Sequence, residues 1–180
     1  MADIKVLALV GSLRAASVNR QLAELAQESA PDGIVVTVYG GLGELPFYNE
    51  DIDTTDAPAA VAALRAAAAD ADAALVVTPE YNGSIPGVLK NAIDWLSRPY
   101  GNGALNDKPV AVIGAALGQY GGVWAHDETR KSFGIAGPRV VESIKLSLPS
   151  ASLDGKHPRE NAEVAAALRE TEEETGIARH

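Results

Sequence analysis

Residues Ala73 to Arg98 constrain the fold more than any other stretch. A short apolar run, Ala74-Leu75-Val76-Val77, stops at Thr78-Pro79 and passes into the polar, aromatic turn Glu80-Tyr81-Asn82-Gly83. A helix pattern starts near Pro86, with Ile85, Val88, Leu89, Ala92, Ile93 and Leu96 recurring as a continuous apolar stripe. A buried strand that feeds a helix through a turn is the repeating unit of a parallel α/β sheet. The turn then falls at the carboxyl end of the strand, where such sheets bind ligands. Asn91 and Trp95 lie four residues apart and off the stripe. They either cover a neighbouring loop or, as the sharper reading, mark a subunit interface, where Trp is enriched.

The rest of the chain repeats the strand–helix alternation. Ile4 to Val10 is short and nearly all apolar, as suits a strand covered on both faces. A helix follows to about Ala30, and Ile34 to Tyr39 is a second strand. Gly40 to Asp56 is irregular, and a loop of that length in a compact protein is functional or covers something. Ala57 to Asp70 is an alanine-rich helix, with Asp56 expected as N-cap and Pro58 in its first turn. After the strand–turn–helix at 73–98 come a fourth strand at Val110 to Ala115, a glycine-rich turn, a helix to about Phe133 and a fifth strand at Arg139 to Leu146. The last helix is expected from Pro158 to Thr175, with Gly176 past its end. Glu172, Glu173 and Glu174 in its final turns oppose the helix dipole and predict fraying. Five such units without a linker or repeat predict a single domain over residues 1–180. Its fold class is α/β, a doubly wound five-stranded parallel sheet of order 2-1-3-4-5 with helices on both faces.

Composition narrows the functional classes. The net charge of −9 argues against a nucleic-acid backbone or an anionic membrane surface as the main partner. The absence of cysteine excludes a cysteine-dependent phosphatase, thiolate metal sites and a disulfide framework. His126, His157 and His180 are scattered without metal-ligand spacing and are expected to be structural or at the surface. The N-terminal apolar run ends at Val10, too short for a signal peptide or a membrane span, and a cytoplasmic protein is expected.

Two turns carry the chemistry. Gly11-Ser12-Leu13-Arg14-Ala15-Ala16-Ser17-Val18-Asn19 sets hydroxyls, an amide and a guanidinium around a helix N-terminus, where unpaired amides and the helix dipole favour an anion. Arg14 can grip phosphate oxygens with parallel hydrogen bonds. The plainer reading makes Ser17 a helix cap and Arg14 a solvated side chain. In the other turn, Tyr81 offers a flat face and Asn82 an amide, as a heteroaromatic ring with polar edges needs. The plainer reading is an ordinary turn with Tyr81 packed on its own sheet. The Gly118 turn after the fourth strand lets backbone approach something flat, or is simply flexible.

GSLRAASVNRQLAELA and PEYNGSIPGVLKNAIDWLSRP resemble the NAD(P)H-dependent FMN reductase family, and within it the bacterial quinone and chromate reductase group. The resemblance implies a flavodoxin-like fold with noncovalent FMN, and NADPH or NADH as electron donor. It implies that Ser12, Arg14, Ser17, Val18 and Asn19 hold the FMN phosphate, that Pro79, Glu80, Tyr81, Asn82 and Gly83 hold the ribityl chain and ring, and that Gly118 lines the ring's other side. It further implies a homodimer or homotetramer with the flavin near a subunit boundary, the helix of Asn91 and Trp95 packed on its mate, and Pro46-Phe47-Tyr48 close to the partner's flavin. Family members often carry a hydroxyl residue where this chain has Ala115 and Ala116. The implied activity is hydride transfer from NAD(P)H through flavin to a quinone, flavin or similar small acceptor by a ping-pong mechanism. No side chain is required as acid or base. The alternatives are a flavodoxin-like electron carrier without nicotinamide turnover and a non-redox nucleotide-binding module.

Overall fold

A computed structural model describes residues 2–177, with side chains through residue 170. The strands are β1 (Ile4–Val10), β2 (Ile34–Val38), β3 (Ala73–Val77), β4 (Pro109–Ala116) and β5 (Arg139–Pro149). They form one parallel sheet in the order β2-β1-β3-β4-β5, as expected. The α-helices are α1 (Val18–Ser29), α2 (Ala59–Asp70), α3 (Gly87–Leu96), α4 (Val123–Ala136) and α5 (Ala162–Ile177). The side-chain alternation of β1 shows why both sheet faces are covered. Val6, Ala8 and Val10 enter the core shared with Leu22 and Ala26 of α1 and Val164 and Leu168 of α5. Leu7 and Leu9 enter the opposite core with Val61 and Leu64 of α2 and Leu89 and Ile93 of α3. Each fully buried Leu contributes on the order of 1.5–3 kcal/mol of transfer free energy. None of the described helices is long and apolar enough to cross a membrane.

Several boundaries differ from expectation. Helix α2 begins at Ala59, and Pro58 rather than Asp56 occupies its N-cap position, without a side-chain cap bond. The proline ring already fixes the entry φ, so the helix needs no carboxylate there. Residues Pro158–Glu160 form a separate 3-10 turn, and α5 starts only after Asn161, whose Oδ1 accepts the Glu163 and Val164 amides. That helix runs to Ile177 and so includes Gly176. The side chains of Glu172, Glu173 and Glu174 lie outside the described residues. Strand β5 continues past Leu146 to Pro149, in register with Ala116 of β4.

The 40–56 segment is a strap over the flank of α3. Asn91 Nδ2 and Trp95 Nε1 both donate to the Pro46 carbonyl, at 2.9 and 2.8 Å, and Asn91 Oδ1 accepts the Tyr48 amide at 2.8 Å. Trp95 is fully buried, with Tyr48 edge-on to its ring at 4.9 Å. Arg65 forks onto Asp53 at 2.8 and 3.0 Å and also donates to the Trp95 carbonyl. The Trp95 side chain is therefore enclosed within its own subunit, which corrects the interface reading in favour of loop covering. A buried indole with its N–H bonded to a carbonyl has no surface left for a partner.

Candidate functional site

Loops from the carboxyl ends of β1, β3, β4 and β5 enclose a crevice of about 310 Å³, within the range of small-molecule sites. It is lined by Ser12, Arg14, Ser17, Val18 and Asn19 from the first loop, Pro79, Glu80 and Tyr81 from the turn after β3, and Ala115, Ala116, Leu117, Gly118 and Ser150 from the ends of β4 and β5. A larger hollow of about 630 Å³ lies at the opposite edge of the sheet. Its charges are turned on each other: Lys5 Nζ pairs with Asp70 at 3.0 Å, and Lys108 Nζ closes the end of α2 through the Ala68 and Ala69 carbonyls. The crevice at the carboxyl ends is the candidate site.

The anion end is built by α1. Ser17 caps the helix, its Oγ accepting the Asn19 and Arg20 amides at 3.2 and 3.4 Å. The positive end of the helix dipole then opens on the crevice. Arg14 Nη2 donates to the Ala16 carbonyl at 3.1 Å, and the Arg14 amide donates to Ser12 Oγ at 3.3 Å. The guanidinium stays exposed beside two hydroxyls, a donor set suited to phosphate oxygens. Asn19 has a different task. Its Oδ1 accepts the Ala115 amide at 2.8 Å and its Nδ2 donates to the Ala115 carbonyl at 2.9 Å, so it bolts the first loop to the fourth. The Ala115 amide is taken up by that bond.

The flat end is built by the turn after β3. Tyr81 and Ser84 exchange backbone bonds of 3.1 Å in both directions around Asn82 and Gly83, whose φ angles are 53° and 73°. This is a two-residue hairpin of the kind Asn-Gly favours, because both central residues must be left-handed. Tyr81 lines the crevice, but Asn82 and Gly83 stand at the tip of the turn, outside its walls. Gly83 instead faces Trp124, which packs at a tilt on Tyr120 with ring centres 5.8 Å apart. Glu80 lines the crevice while its Oε2 accepts the Ala125 amide at 3.1 Å, holding the first turn of α4. Leu117, 93% exposed, and Gly118 complete an open apolar mouth.

Behind these walls lies His126, fully buried, with Nε2 2.7 Å from the Thr78 carbonyl oxygen and Nδ1 2.7 Å from Ser147 Oγ. A carbonyl can only accept, so Nε2 carries the proton and Nδ1 accepts from the serine. Burial pushes the His126 pKa down, helped by Arg130 and opposed by the Thr78 carbonyl. Sequence reasoning missed Leu117 and Ser150 as well. Ser150 carries no motif and reaches the site only because β5 runs to Pro149. The donor set fits FMN: hydroxyls, a guanidinium and a helix N-terminus at one end, and a flat, open aromatic and backbone surface at the other.

The model of the NADPH-dependent FMN reductases matches residues 4–152. A quinone reductase of Pseudomonas putida is 45% identical over 150 residues, covering 83% of this chain and 77% of its own. An NAD(P)H-dependent FMN reductase of Pseudomonas aeruginosa is 42% identical over 149 residues, with coverage of 83% and 80%. Among solved structures, the flavoenzyme FerB of Paracoccus denitrificans, an NAD(P)H:(acceptor) oxidoreductase, superposes with a TM-score of 0.82 at 33% identity, over 96% of this chain and 94% of that one.

Proposed function

The chain belongs to the NADPH-dependent FMN reductase family and is a flavin-dependent oxidoreductase, and we propose that it works as a single cytoplasmic domain reducing small flat acceptors, quinones foremost, by a ping-pong cycle at this crevice. Bound FMN would supply the chemistry, taking hydride from NAD(P)H in one half-reaction and passing two electrons to the acceptor in the other. The protein's part is to bind and orient. Ser12, Arg14, Ser17 and the first turn of α1 would hold the phosphate. Pro79, Tyr81 and the Leu117–Gly118 turn would hold the ring and leave one face open. Glu80 and Asn19 would act indirectly, by fixing α4 and the Ala115 backbone. The observation that carries this reading is one crevice with an anion end and a flat end, made by loops from adjacent strand ends.

The strap supports a further element of the reading, assembly as a homodimer or as paired dimers. Phe47 is 88% exposed on an otherwise pinned loop, and Leu13 and Leu117 are also left open at the carboxyl edge. A second copy would cover this apolar surface.

The test is direct. Purified protein with added FMN is expected to hold it through gel filtration, to bleach on anaerobic addition of NADPH, and to give parallel double-reciprocal plots when a quinone is varied. Protein that retains no flavin, or that is reduced only by another electron-transfer protein, overturns the enzymatic reading of this crevice.

A further inference from the structure

His126 is a buried polar group for which the flavin assignment has no use. Its imidazole joins elements that sequence keeps far apart. From the first turn of α4 it holds the Thr78 carbonyl at the exit of β3 with one nitrogen and the Ser147 hydroxyl near the end of β5 with the other. Thr78 leads directly into Pro79, Glu80 and Tyr81, one wall of the crevice, and Ser147 lies three residues before Ser150 on its rim. The same node receives the first loop, because Asn19 clamps Ala115 on both its amide and its carbonyl. The Thr78 amide is tied to the Ile113 carbonyl at 3.0 Å and its hydroxyl to the Pro79 carbonyl at 2.9 Å. The node tolerates no extra atom. A Cβ on Gly114 would overlap the Thr78 carbonyl oxygen and stand 2.6 Å from His126 Nε2 and 2.9 Å from Asn19 Oδ1.

We propose that His126 is a positioning residue for the cofactor: by holding Thr78 on one ring nitrogen and Ser147 on the other, it fixes the Pro79–Tyr81 wall against the Ser150 side of the crevice, beside the Asn19–Ala115 clamp of the first loop. The inference rests on the flavin reading above. The imidazole offers a donor and an acceptor in one rigid plane, at opposite edges of the ring, which no apolar side chain supplies. A leucine of similar bulk fills the space but leaves the buried Thr78 carbonyl and the half-buried Ser147 hydroxyl without this partner, and the cheapest relief is a shift of the β3 exit toward solvent. A glutamine can keep both bonds, amide N–H to Thr78 and amide oxygen from Ser147. The charged groups facing the ring, Glu80, Asp127 and Arg130, are the same in either variant.

The experiment compares FMN Kd, by flavin fluorescence quenching, and the midpoint potential of bound FMN in the parent protein, His126→Gln, His126→Leu and Arg14→Ala. Circular dichroism checks that each is folded. We expect His126→Gln to stay within about threefold of the parent Kd and His126→Leu to weaken it by roughly tenfold or more, with the potential shifted in the leucine variant and restored in the glutamine variant. Folded His126→Leu with parental Kd and potential overturns the inference. So does a glutamine variant as impaired as the leucine one. Should His126→Leu fail to fold, Ser147→Ala decides, since it removes only the anchor at Nδ1. A loss of about two- to fivefold in affinity supports the proposal, and parity with the parent overturns it. Parent protein that binds no FMN defeats the reading of the crevice itself. Binding that is lost in Arg14→Ala but untouched at position 126 defeats this inference alone.

Discussion

The strap at 40–56 and the crevice rim at 12–19 and 79–81 are both irregular and polar, yet they dispose of their polar groups in opposite ways. In the strap the groups are matched inside the molecule. Pro46 receives two donors, Tyr48 gives its amide to Asn91, and Asp53 takes both arms of Arg65. On the rim, Arg14 keeps most of its guanidinium in solvent, and the α1 N-terminus faces a hollow. A satisfied loop contributes to stability, whereas a loop with outward donors holds a site ready for a ligand.

If that contrast is right, variants of the two regions should separate cleanly. Trp95→Ala should have the largest effect, destabilising the fold by about 3–5 kcal/mol through the lost buried ring and the loss of one of the two bonds to the Pro46 carbonyl. Urea unfolding measures it, and a loss under about 1 kcal/mol would mean the strap is not anchored as described. Arg14→Ala should leave the unfolding midpoint within about 0.5 kcal/mol of the parent while weakening FMN binding roughly 10- to 100-fold. Equal losses in both quantities would erase the distinction. Phe47→Ala sharpens it further. This side chain belongs to the strap but is turned outward, so monomer stability should hold within about 0.5 kcal/mol while sedimentation reports weaker self-association. The smallest effect belongs to Lys90→Ala. Its exposed pair with Asp94 at 2.7 Å should be worth about 0.3–0.5 kcal/mol, vanishing at high salt.

Acid should act on both regions, in separate windows. The forked bond from Arg65 holds the Asp53 carboxyl below its ordinary 3.8, and burial holds His126 below its ordinary 6.5. For His126 the folded state resists a proton that the unfolded chain accepts, so stability is intact above about pH 6.5 and declines below it. For Asp53 the contribution is present above about pH 4 and is lost as pH falls through its depressed folded value. Urea midpoints taken from pH 8 to pH 3 should therefore fall in two stages. The first should be absent in His126→Gln and the second absent in Asp53→Asn.

Much of this was legible in the residues themselves. The apolar runs and helical stripes led to the sheet order, and Asn82-Gly83 announced a tight turn. The failures share a cause, which is that local pattern does not say what lies alongside. Trp95 reads as peripheral because it falls off the stripe of α3, and only the strap, an aperiodic loop from elsewhere in the chain, buries it. Asn19 and Glu80 line the crevice, and local pattern gave no sign that each also closes a long-range bond, to Ala115 and to Ala125. Ser150 has no local signal at all, because its place depends on how far β5 keeps register with β4.

The strand order also governs how the molecule emerges from the ribosome. Once β3 has settled beside β1, each later strand joins the same growing edge, β4 on β3 and then β5 on β4, while β2 already closes the far side. The two principal walls of the crevice, at 12–19 and 79–81, are thus translated before residue 100. A nascent chain could offer a rudimentary cofactor cradle while its final third is still being made, and the β5 segment with Ser147 and Ser150 would arrive last to lock it.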